Sequence, residues 1–426
     1  MALTETQIVS NELEKVRSKV ELLYERDDTF FSTIEKAADV EVVSSRDMRI
    51  PLELRPGGNF GHYNPDGGDL GRGDGPGFDK AVISSSHFKF GVEYTHKAKV
   101  STDDSRKAVL NTVKHLLAKS MAEFRRQCDS ICMQAGDGVV GTISAVSNSG
   151  GKDTYTLGTD GFGARLVRYG QWLAVYTSTL SASRTITPAS GSLDGIAGQV
   201  DFHDGPNKQI RLNGQAASVV AGDKLVLNGL SGANPVSLYG IPYHQNAAST
   251  GSWLGFTRSA TPEVRCNQVA AGGAFALSHA RIGVNKIGDR LGVDQIGKLD
   301  AWMHPCQTQA YEELGQLVQV INKDASDSGL NMYFGGNMQM AGASVRKHYS
   351  WDKTRIDFIN PKTWGRAELQ PAGFYEVDGK KLFELRGSSG GVAAASIFYI
   401  TNSWNLFSKN PAAGSYISGL TVPSGY

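Results

Sequence analysis

The sequence has no long apolar run and few cysteines. No stretch approaches the roughly 20 apolar residues that a helix needs to cross a bilayer, and the chain does not begin with a signal-peptide pattern. The four cysteines, at positions 128, 132, 266 and 306 of 426 residues, are too few for a disulfide scaffold. We therefore expect a soluble chain that is made in a cytoplasm.

An excess of charge is also missing, because 43 Lys and Arg residues face 42 Asp and Glu residues. The resulting net charge of +1 argues against nucleic-acid binding through bulk charge. The apolar fraction of 40% is sufficient for a large core, and the length allows two or three domains.

Cysteine and histidine do not form a pattern that predicts catalysis or metal binding. Cys128 and Cys132 share one helix face but lack two further ligands at a usual spacing, so we interpret them as small buried hydrophobic residues. The nine histidines are scattered, and Cys306 beside His304 has no recognisable third partner for nucleophilic catalysis.

Two further candidate motifs are incomplete. Glu312 and Glu313 are adjacent on a predicted helix and point from different faces, which is wrong for paired acid–base catalysis. Residues 387–391 match the letters of a nucleophile elbow, but no charged triad partner can be placed. We therefore predict no enzyme, no cofactor and no metal ion.

Glycine, in contrast, is abundant, at 50 of 426 residues or nearly 12%. Nine of these glycines lie within residues 57–77. This stretch has neither a phosphate-loop nor a dinucleotide-binding pattern, and no helix follows it directly. We interpret it as a flexible tip between two strands.

The segments on either side of the glycine-rich stretch alternate as strands do. Apolar residues at positions 48, 50, 52 and 54 alternate with polar ones, and a second alternation runs through residues 88–100. The pattern predicts a β-hairpin over residues 40–100. Because a lone hairpin is marginally stable in water, its apolar face needs a partner on another copy of the chain. That face comprises Phe88, Phe90, Val92 and Tyr94.

A long helix is predicted over residues 102–135, where apolar residues recur at helical spacing without Gly or Pro. Thr102 is a suitable N-cap and Gly136 a suitable stop. At 1.5 Å per residue this helix would form a rod of roughly 50 Å. We call it the spine helix.

A shorter amphipathic helix is predicted near the start of the chain, within residues 1–39. Its apolar stripe is too narrow to form a core by itself, so we expect it to dock on its own chain or on a neighbour. The stripe comprises Val9, Leu13, Val16, Val20 and Leu23.

The rest of the chain mixes strands and helices, which predicts an α+β fold. After a Gly/Ser-rich stretch at 147–161, a compact antiparallel sheet or small barrel is predicted. Helices are predicted at 278–290 and 305–323, and a hairpin turn at Asp378-Gly379. The predicted strands are 172–176, 185–187, 209–212, 224–227, 344–348, 354–359, 374–377, 381–385 and 397–407.

This order of parts resembles the major capsid proteins of tailed bacteriophages. Several short stretches of sequence also resemble that family. They are AWMHP at 301–305, QAYEELG at 309–315, NMQMAG at 337–342, KTRID at 353–357, WGRAEL at 364–369, FYEVD at 374–378 and VPSGY at 422–426. The resemblance implies the Hong Kong phage-type capsid fold. Its implied parts are an N-terminal arm (1–39), an extended loop (40–100), a peripheral domain (101–160), a β-rich insertion (161–240), and an axial domain with the remainder of the peripheral domain (241–426).

The resemblance also implies a function and its partners. Subunits would assemble in the host bacterial cytoplasm as pentamers and hexamers into an icosahedral shell around double-stranded DNA, which becomes the virion. The implied partners are other copies of the chain, scaffolding and portal proteins, and the packaged DNA. A decoration protein is a further partner that the family allows, and no membrane is implied.

Contacts between subunits would then involve the extended loop and the N-terminal arm. We expect the loop to overlie a neighbour's spine helix, with Arg46, Arg49, Arg55 and Arg72 opposite carboxylates, although solvated surface charge is the competing interpretation of each arginine. The N-terminal arm (1–39) would reach across another subunit through Val9, Leu13, Val16 and Val20.

Two features of some family members are not predicted. Lys80 and Lys89 are candidates for an isopeptide cross-link, but no acceptor Asn or assisting Glu can be identified. The segment before the N-terminal arm is too short for a usual scaffolding domain, so we expect no proteolytic removal of an N-terminal scaffolding segment.

Alternatives remain open at this stage. A bacterial nanocompartment shell protein would share the fold but enclose an enzyme. A carbohydrate-active enzyme would need convergent carboxylates, and a tail or adhesion protein would not explain the uninterrupted spine helix.

Overall fold

The computed structural model describes residues 29–37, 40–42, 47–62, 64–69, 71–101, 112–158, 167–189, 197–227, 229–230, 232–318, 338–386 and 392–425. Several sequence predictions lie outside these ranges. They are the stripe Val9, Leu13, Val16, Val20 and Leu23, residue Arg46, the first ten residues of the predicted spine helix, the end of the helix predicted at 305–323, and the serine-containing segment 387–391.

Six α-helices occur among the described residues, in addition to short 3-10 helices. They are α1 (Thr29–Ala37), α2 (His96–Ser101), α3 (Thr112–Ile131), α4 (Ile241–His244), α5 (Leu277–Leu291) and α6 (Pro305–Val318). The predicted spine helix is confirmed over α3, which ends at Ile131 and is followed by a turn and by Gly136 at φ +98°. None of the described helices is long and apolar enough to cross a membrane.

The described strands are mostly short. They are β1 (Val40–Val42), β2 (Asp47–Arg55), β3 (Gly77–Ser84), β4 (Ser86–Thr95), β5 (Val139–Ser149), β6 (Lys152–Leu157), β7 (Leu173–Tyr176), β8 (Ser183–Arg184), β9 (Ile186–Thr187), β10 (Val200–Asp204), β11 (Gln209–Leu212), β12 (Gln215–Ala216), β13 (Lys224–Leu227), β14 (Ser252–Trp253), β15 (Phe256–Thr257), β16 (Asn267–Gly273), β17 (Asp300–Met303), β18 (Gln339–Met340), β19 (Ala343–Lys347), β20 (Ile356–Ile359), β21 (Trp364–Phe374), β22 (Phe383–Arg386), β23 (Val392–Ser408) and β24 (Ser415–Leu420).

The chain divides into two compact units, each assembled from separate stretches of sequence. The first unit contains the described parts of Met1–Thr33, Ser86–Gly240 and Glu368–Trp404. The second contains those of Ile34–Ser85, Ile241–Ala367 and Asn405–Tyr426.

A curved antiparallel sheet forms much of the first unit, with strand order β10-β11-β6-β5-β13-β7-β8. A bridge between Trp172 and Gln199 joins the segments that precede β7 and β10, so the sheet curls round into a small barrel. Its interior is filled by buried aliphatic residues and Tyr155. Residues 161–240 were predicted to form a compact antiparallel sheet or a small barrel; the observed sheet is antiparallel and begins earlier in the chain.

The sheet begins before residue 161 because β5 and β6 are already barrel strands. The Gly/Ser-rich stretch does not separate the spine helix from the barrel. Gly150 and Gly151, both at positive φ, form the turn of the β5–β6 hairpin inside it.

A second sheet in the first unit is organised around the long strand β23. It pairs antiparallel with β4 and β22, and β21 also neighbours it. The predicted turn at Asp378-Gly379 is confirmed, since Val377 and Lys380 exchange backbone hydrogen bonds of 2.9 and 3.1 Å across it.

The second unit is built on a mixed six-stranded sheet of order β16-β24-β20-β17-β19-β18. Ala280, Val284 and Ile287 of α5 are buried in its hydrophobic core, and Tyr311 and Leu314 of α6 pack against the same core. The spacing of these apolar residues, three or four apart, explains why both helices were predictable from sequence.

Candidate assembly surface

The glycine-rich segment lies at the end of a hairpin formed by β2 and β3. We call this hairpin the arm (residues 47–84); it is distinct from the N-terminal arm predicted over residues 1–39. The two strands pair antiparallel, with Met48 opposite Ile83 and Ile50 opposite Ala81. These four side chains share one face and are buried, so the base of the arm is anchored in the second unit.

The outer half of the arm is exposed. Phe78, opposite Glu53, has 68% of its surface accessible, and Phe60 in the glycine-rich loop is fully exposed. An aromatic ring stabilises a structure mainly by burial, and these two rings are not buried within the chain. Their exposure on one projecting hairpin is typical of a surface that is covered by a partner.

The loop at the end of the arm is closed by its own hydrogen bonds. The backbone N–H of Gly58 donates to the carbonyl oxygen of Asp74 at 2.7 Å. Gly57 has φ +68°, and a Cβ there would lie 2.5 Å from the backbone nitrogen of Pro76. Glycine is therefore required at position 57, where the chain entering the loop passes close to Pro76 on the chain leaving it.

The charges on the arm are mixed. Arg49, Arg55 and Arg72 are all exposed, and none of the three forms an ion pair with another described residue. Across residues 47–84 the sequence carries six acids and four bases, a net charge of −2 (4 minus 6). Such a surface suits a partner that also carries both signs of charge.

The predicted second strand of the hairpin was wrong. Residues 77–84 pair with β2, whereas the predicted strand 88–100 divides into β4 and the helix α2. In β4, Phe90 lies 6.4 Å from the ring of Phe124 on α3, and Tyr94 is buried. The apolar face expected on a neighbour's spine helix thus packs on the spine helix of its own chain.

The other members of that face also lie within the first unit. The Phe88 ring is 6.3 Å from that of Trp404 on β23, and Val92 is half-buried opposite Phe398 of the same strand. Alternation marks residues 86–95 as a strand but does not identify its partner, whereas residues 77–84 do not alternate. The signal that could have separated them is the triple serine at 84–86 after the apolar run 81–83.

The helix α1 is attached to the spine helix of its own chain at its first turn. The backbone N–H of Phe31 donates to Oδ1 of Asp129 at 2.7 Å, and Asp129 is buried on α3. The Phe31 ring contacts Trp404 edge-on at 5.3 Å and lies under the guanidinium of Arg125 at 5.6 Å. The carboxylate thereby accepts from a first-turn amide at the positive end of a helix.

The pair His304 and Cys306 has a structural explanation. The backbone N–H of Cys306 donates to Nδ1 of His304 at 3.1 Å, so the histidine caps the start of α6. All four cysteines are buried, and burial raises the pKa of the Cys266 thiol to about 12. Among the described residues no three His, Cys, Asp or Glu side chains come together as a metal site.

Comparison with solved structures identifies the fold. A chain of the cyanophage A-1(L) capsid asymmetric unit matches 98% of this chain and 100% of its own length, with a TM-score of 0.57 and 11% identity. Chains of a native GTA particle capsid and of the bacteriophage PhiM1 mature capsid also match. They cover 96% and 95% of this chain at 11% identity, with TM-scores of 0.47 and 0.46.

The match to the cyanophage structure confirms the predicted α+β phage capsid fold, because it extends over essentially the whole of both chains. Neither a family model nor a curated protein matches the sequence. At 11% identity the likeness is one of fold.

Proposed function

We propose that this chain is the major capsid protein of a tailed bacteriophage. In this proposal it assembles as pentamers and hexamers into an icosahedral shell that encloses double-stranded DNA. The observation that supports it most is the end-to-end match with a capsid chain, which leaves no large part of either chain unaccounted for. An assembly function also agrees with the exposed aromatic rings on the arm.

The proposed contact surface is the outer half of the arm, with Phe60, Phe78, Arg49, Arg55 and Arg72. The rings would be buried on a neighbouring subunit, and the arginines would pair with its carboxylates. Val9, Leu13, Val16, Val20 and Arg46 stay candidates for a second contact surface. Many such contacts, each weak, would make a closed shell stable through multivalency.

The proposed partners are other copies of the chain, scaffolding and portal proteins, and packaged DNA that is contacted without sequence preference. The proposed location is the virion after assembly in the host cytoplasm. The near-neutral net charge suits DNA confinement by a closed wall rather than by tight binding.

The decisive variant combines Phe60→Ala with Phe78→Ala. Burial of one Phe ring stabilises a contact by about 1.5–3 kcal/mol, so losing two per subunit should lower the assembled fraction at least about tenfold at equal concentration. Light scattering and negative-stain microscopy measure that fraction. Because both rings are exposed within the chain, the melting curve of the unassembled protein should not change.

The matched control is Tyr169→Ala, which removes a ring of similar exposure, 62%, from the first unit. It should assemble as the unsubstituted chain does. A chain that stays a compact monomer under every assembly condition would contradict the proposal. Particles made with the neighbouring genes should hold nuclease-protected DNA, whereas a protein cargo would favour a nanocompartment shell.

A further inference from the structure

The base of the arm lies against a short segment of the second unit, residues 241–258, which we call the strap. The strap contains α4 and the two-residue strands β14 and β15. Trp253 and Leu254, at the turn between these strands, are almost completely buried. Such burial is unusual for a turn, because its backbone groups must find partners inside the protein.

One of those partners is the arm itself. The backbone N–H of Val82 on β3 donates to the carbonyl oxygen of Leu254 at 3.0 Å. Two residues further on, the carbonyl oxygen of Ser84 accepts a hydrogen bond of 2.7 Å from Nδ2 of Asn405. The flanking side chains Ala81 and Ile83 are fully buried. The edge of β3 that does not face β2 is therefore fixed at two consecutive points.

The carbonyl of Leu254 is available because its residue has an unusual backbone conformation. Leu254 has φ +45°, in the left-handed region, which costs a residue with a branched side chain roughly 1 kcal/mol or more. Its own N–H donates to Oη of Tyr243 at 3.0 Å. The strap thus holds one residue in a costly conformation that presents a carbonyl to the arm.

A buried histidine supports this conformation from the other side. Nε1 of Trp253 lies 3.0 Å from Nδ1 of His244, and an indole nitrogen can only donate. Nδ1 must therefore accept, and Nε2 carries the proton and donates to the carbonyl oxygen of Leu406 at 3.0 Å. His244 is fully buried, and its ring meets that of Trp364 edge-on at 5.3 Å.

We propose that the strap is the positioning element of the arm. Neutral His244, through Trp253, fixes the turn whose carbonyl receives Val82 and so sets the direction in which the arm leaves the second unit. The consequence for assembly rests on the function proposed above, because an arm of undefined direction would reach its neighbour less often. The contact itself is a property of the single chain.

The test removes hydrogen bonds while keeping an aromatic ring at each position. Trp253→Phe deletes the donor to His244, and Tyr243→Phe deletes the acceptor for the N–H of Leu254. Hydrogen exchange is followed by mass spectrometry on the full unassembled chain. Peptides covering residues 80–85 should exchange at least about tenfold faster in both variants, as expected for the loss of roughly 1.4 kcal/mol of local protection.

Trp302→Phe is the matched control, because Trp302 is another fully buried tryptophan of the second unit and lies on β17. It should leave exchange in residues 80–85 unchanged. Peptides from the barrel, residues 139–157, show in every variant whether the first unit is still folded. Faster exchange everywhere would mark general unfolding rather than release of the arm and would count against the proposal.

Unchanged exchange in residues 80–85 in both Trp253→Phe and Tyr243→Phe would overturn the proposal. Assembly is then measured on the same samples. Fewer closed shells from both strap variants, with normal shells from Trp302→Phe, would support the role in assembly. If the unsubstituted chain never assembles, the function proposed above fails, while the exchange data still decide whether the strap positions the arm.

Discussion

Asp201, on strand β10 of the barrel, has two cationic partners. Nζ of Lys152 lies 2.6 Å from one carboxylate oxygen, and Nε of Arg211 lies 2.7 Å from the other. Burial alone would raise the pKa of Asp201, but hydrogen bonds and charge from Arg211 and Lys152 outweigh it and hold the pKa below its usual value. The ionised form is therefore the one that stabilises the barrel.

Asp201→Asn should lower the free energy of unfolding at pH 7 by about 1 kcal/mol, since its charge-assisted contacts with Lys152 and Arg211 are weakened at a partly exposed site. The folded pKa lies below the unfolded one. The stabilisation is therefore complete above the unfolded pKa, near 3.9, and is lost as pH falls through the folded pKa. Urea unfolding from pH 7 down to pH 3 measures the difference.

Glu376→Gln is a control for this prediction, because Glu376 pairs with Lys381 in a more exposed position of the same unit. Its effect at pH 7 should stay within about 0.5 kcal/mol. A difference between Asp201→Asn and the unsubstituted chain that is constant from pH 7 to pH 3 would contradict the assigned role.

The second unit contains a more deeply buried pair. Nη2 of Arg355 lies 2.6 Å from Oδ1 of Asp357, whose Oδ2 accepts from Nε1 of Trp351 at 2.9 Å. The Arg355 guanidinium also stacks over Tyr416 at 4.0 Å and donates to the carbonyl oxygen of Gln245 at 2.8 Å. It thereby links the sheet to the strap.

Arg355→Met should destabilise the second unit by about 3–5 kcal/mol, because it leaves the buried carboxylate of Asp357 without its counter-charge. Adding Asp357→Leu should restore part of the lost stability by removing that uncompensated charge. Urea unfolding of both variants measures this. A double variant less stable than Arg355→Met would show that the uncompensated charge is not the main cost.

At the scale of elements, the sequence was most informative where strands alternate between strong turns. The strands 209–212 and 224–227 were predicted with the observed bounds, next to Asn213-Gly214 and Asn228-Gly229. Pairing was harder, because alternation specifies a face but not a neighbour. The strand β3 does not alternate, because its apolar residues 81–83 are consecutive, so the pattern favours the alternating β4 as the partner of β2.

The turn after β21 offers a prediction at this scale. Asp378 and Gly379 have φ values of +50° and +76°, which is the pattern of a type I′ turn. Gly379→Ala should lower the local stability of this turn by about 1 kcal/mol, because Ala disfavours the left-handed region. Hydrogen exchange in residues 375–386 measures it.

Gly373→Ala, on the preceding strand β21, is the matched control. Gly373 has no positive φ, and an added Cβ would meet only the Pro371 carbonyl oxygen, at 3.9 Å. It should leave exchange in residues 375–386 unchanged. Equal effects of the two substitutions would show that the turn geometry is not the cause.

At the scale of the whole molecule, the resemblance noticed in the sequence predicted the fold, and the structural match confirmed it. The sequence did not show which apolar surfaces pack inside the chain and which stay exposed. The face of Phe88 and Phe90 was expected between subunits but packs inside the chain, whereas no sequence pattern marks Phe60 and Phe78 as exposed. Periodicity cannot distinguish an apolar face that packs internally from one that awaits a partner.

Shortening the arm tests its role directly. Replacing residues 57–76 by Asn-Gly would join β2 to β3 through a tight turn and remove Phe60 and Arg72 while leaving the buried base intact. We expect the melting temperature of the unassembled chain to stay within a few degrees, and closed shells to disappear. Calorimetry and light scattering measure the two outcomes, and normal shells would show that the loop is dispensable.

The most direct test of the central claim is electron cryomicroscopy of particles formed by the purified full chain. We expect closed shells of pentamers and hexamers in which the outer half of each arm, with Phe60 and Phe78, is covered by a neighbouring subunit. A chain that remains a compact monomer, or shells in which both rings stay exposed to solvent, would contradict that claim.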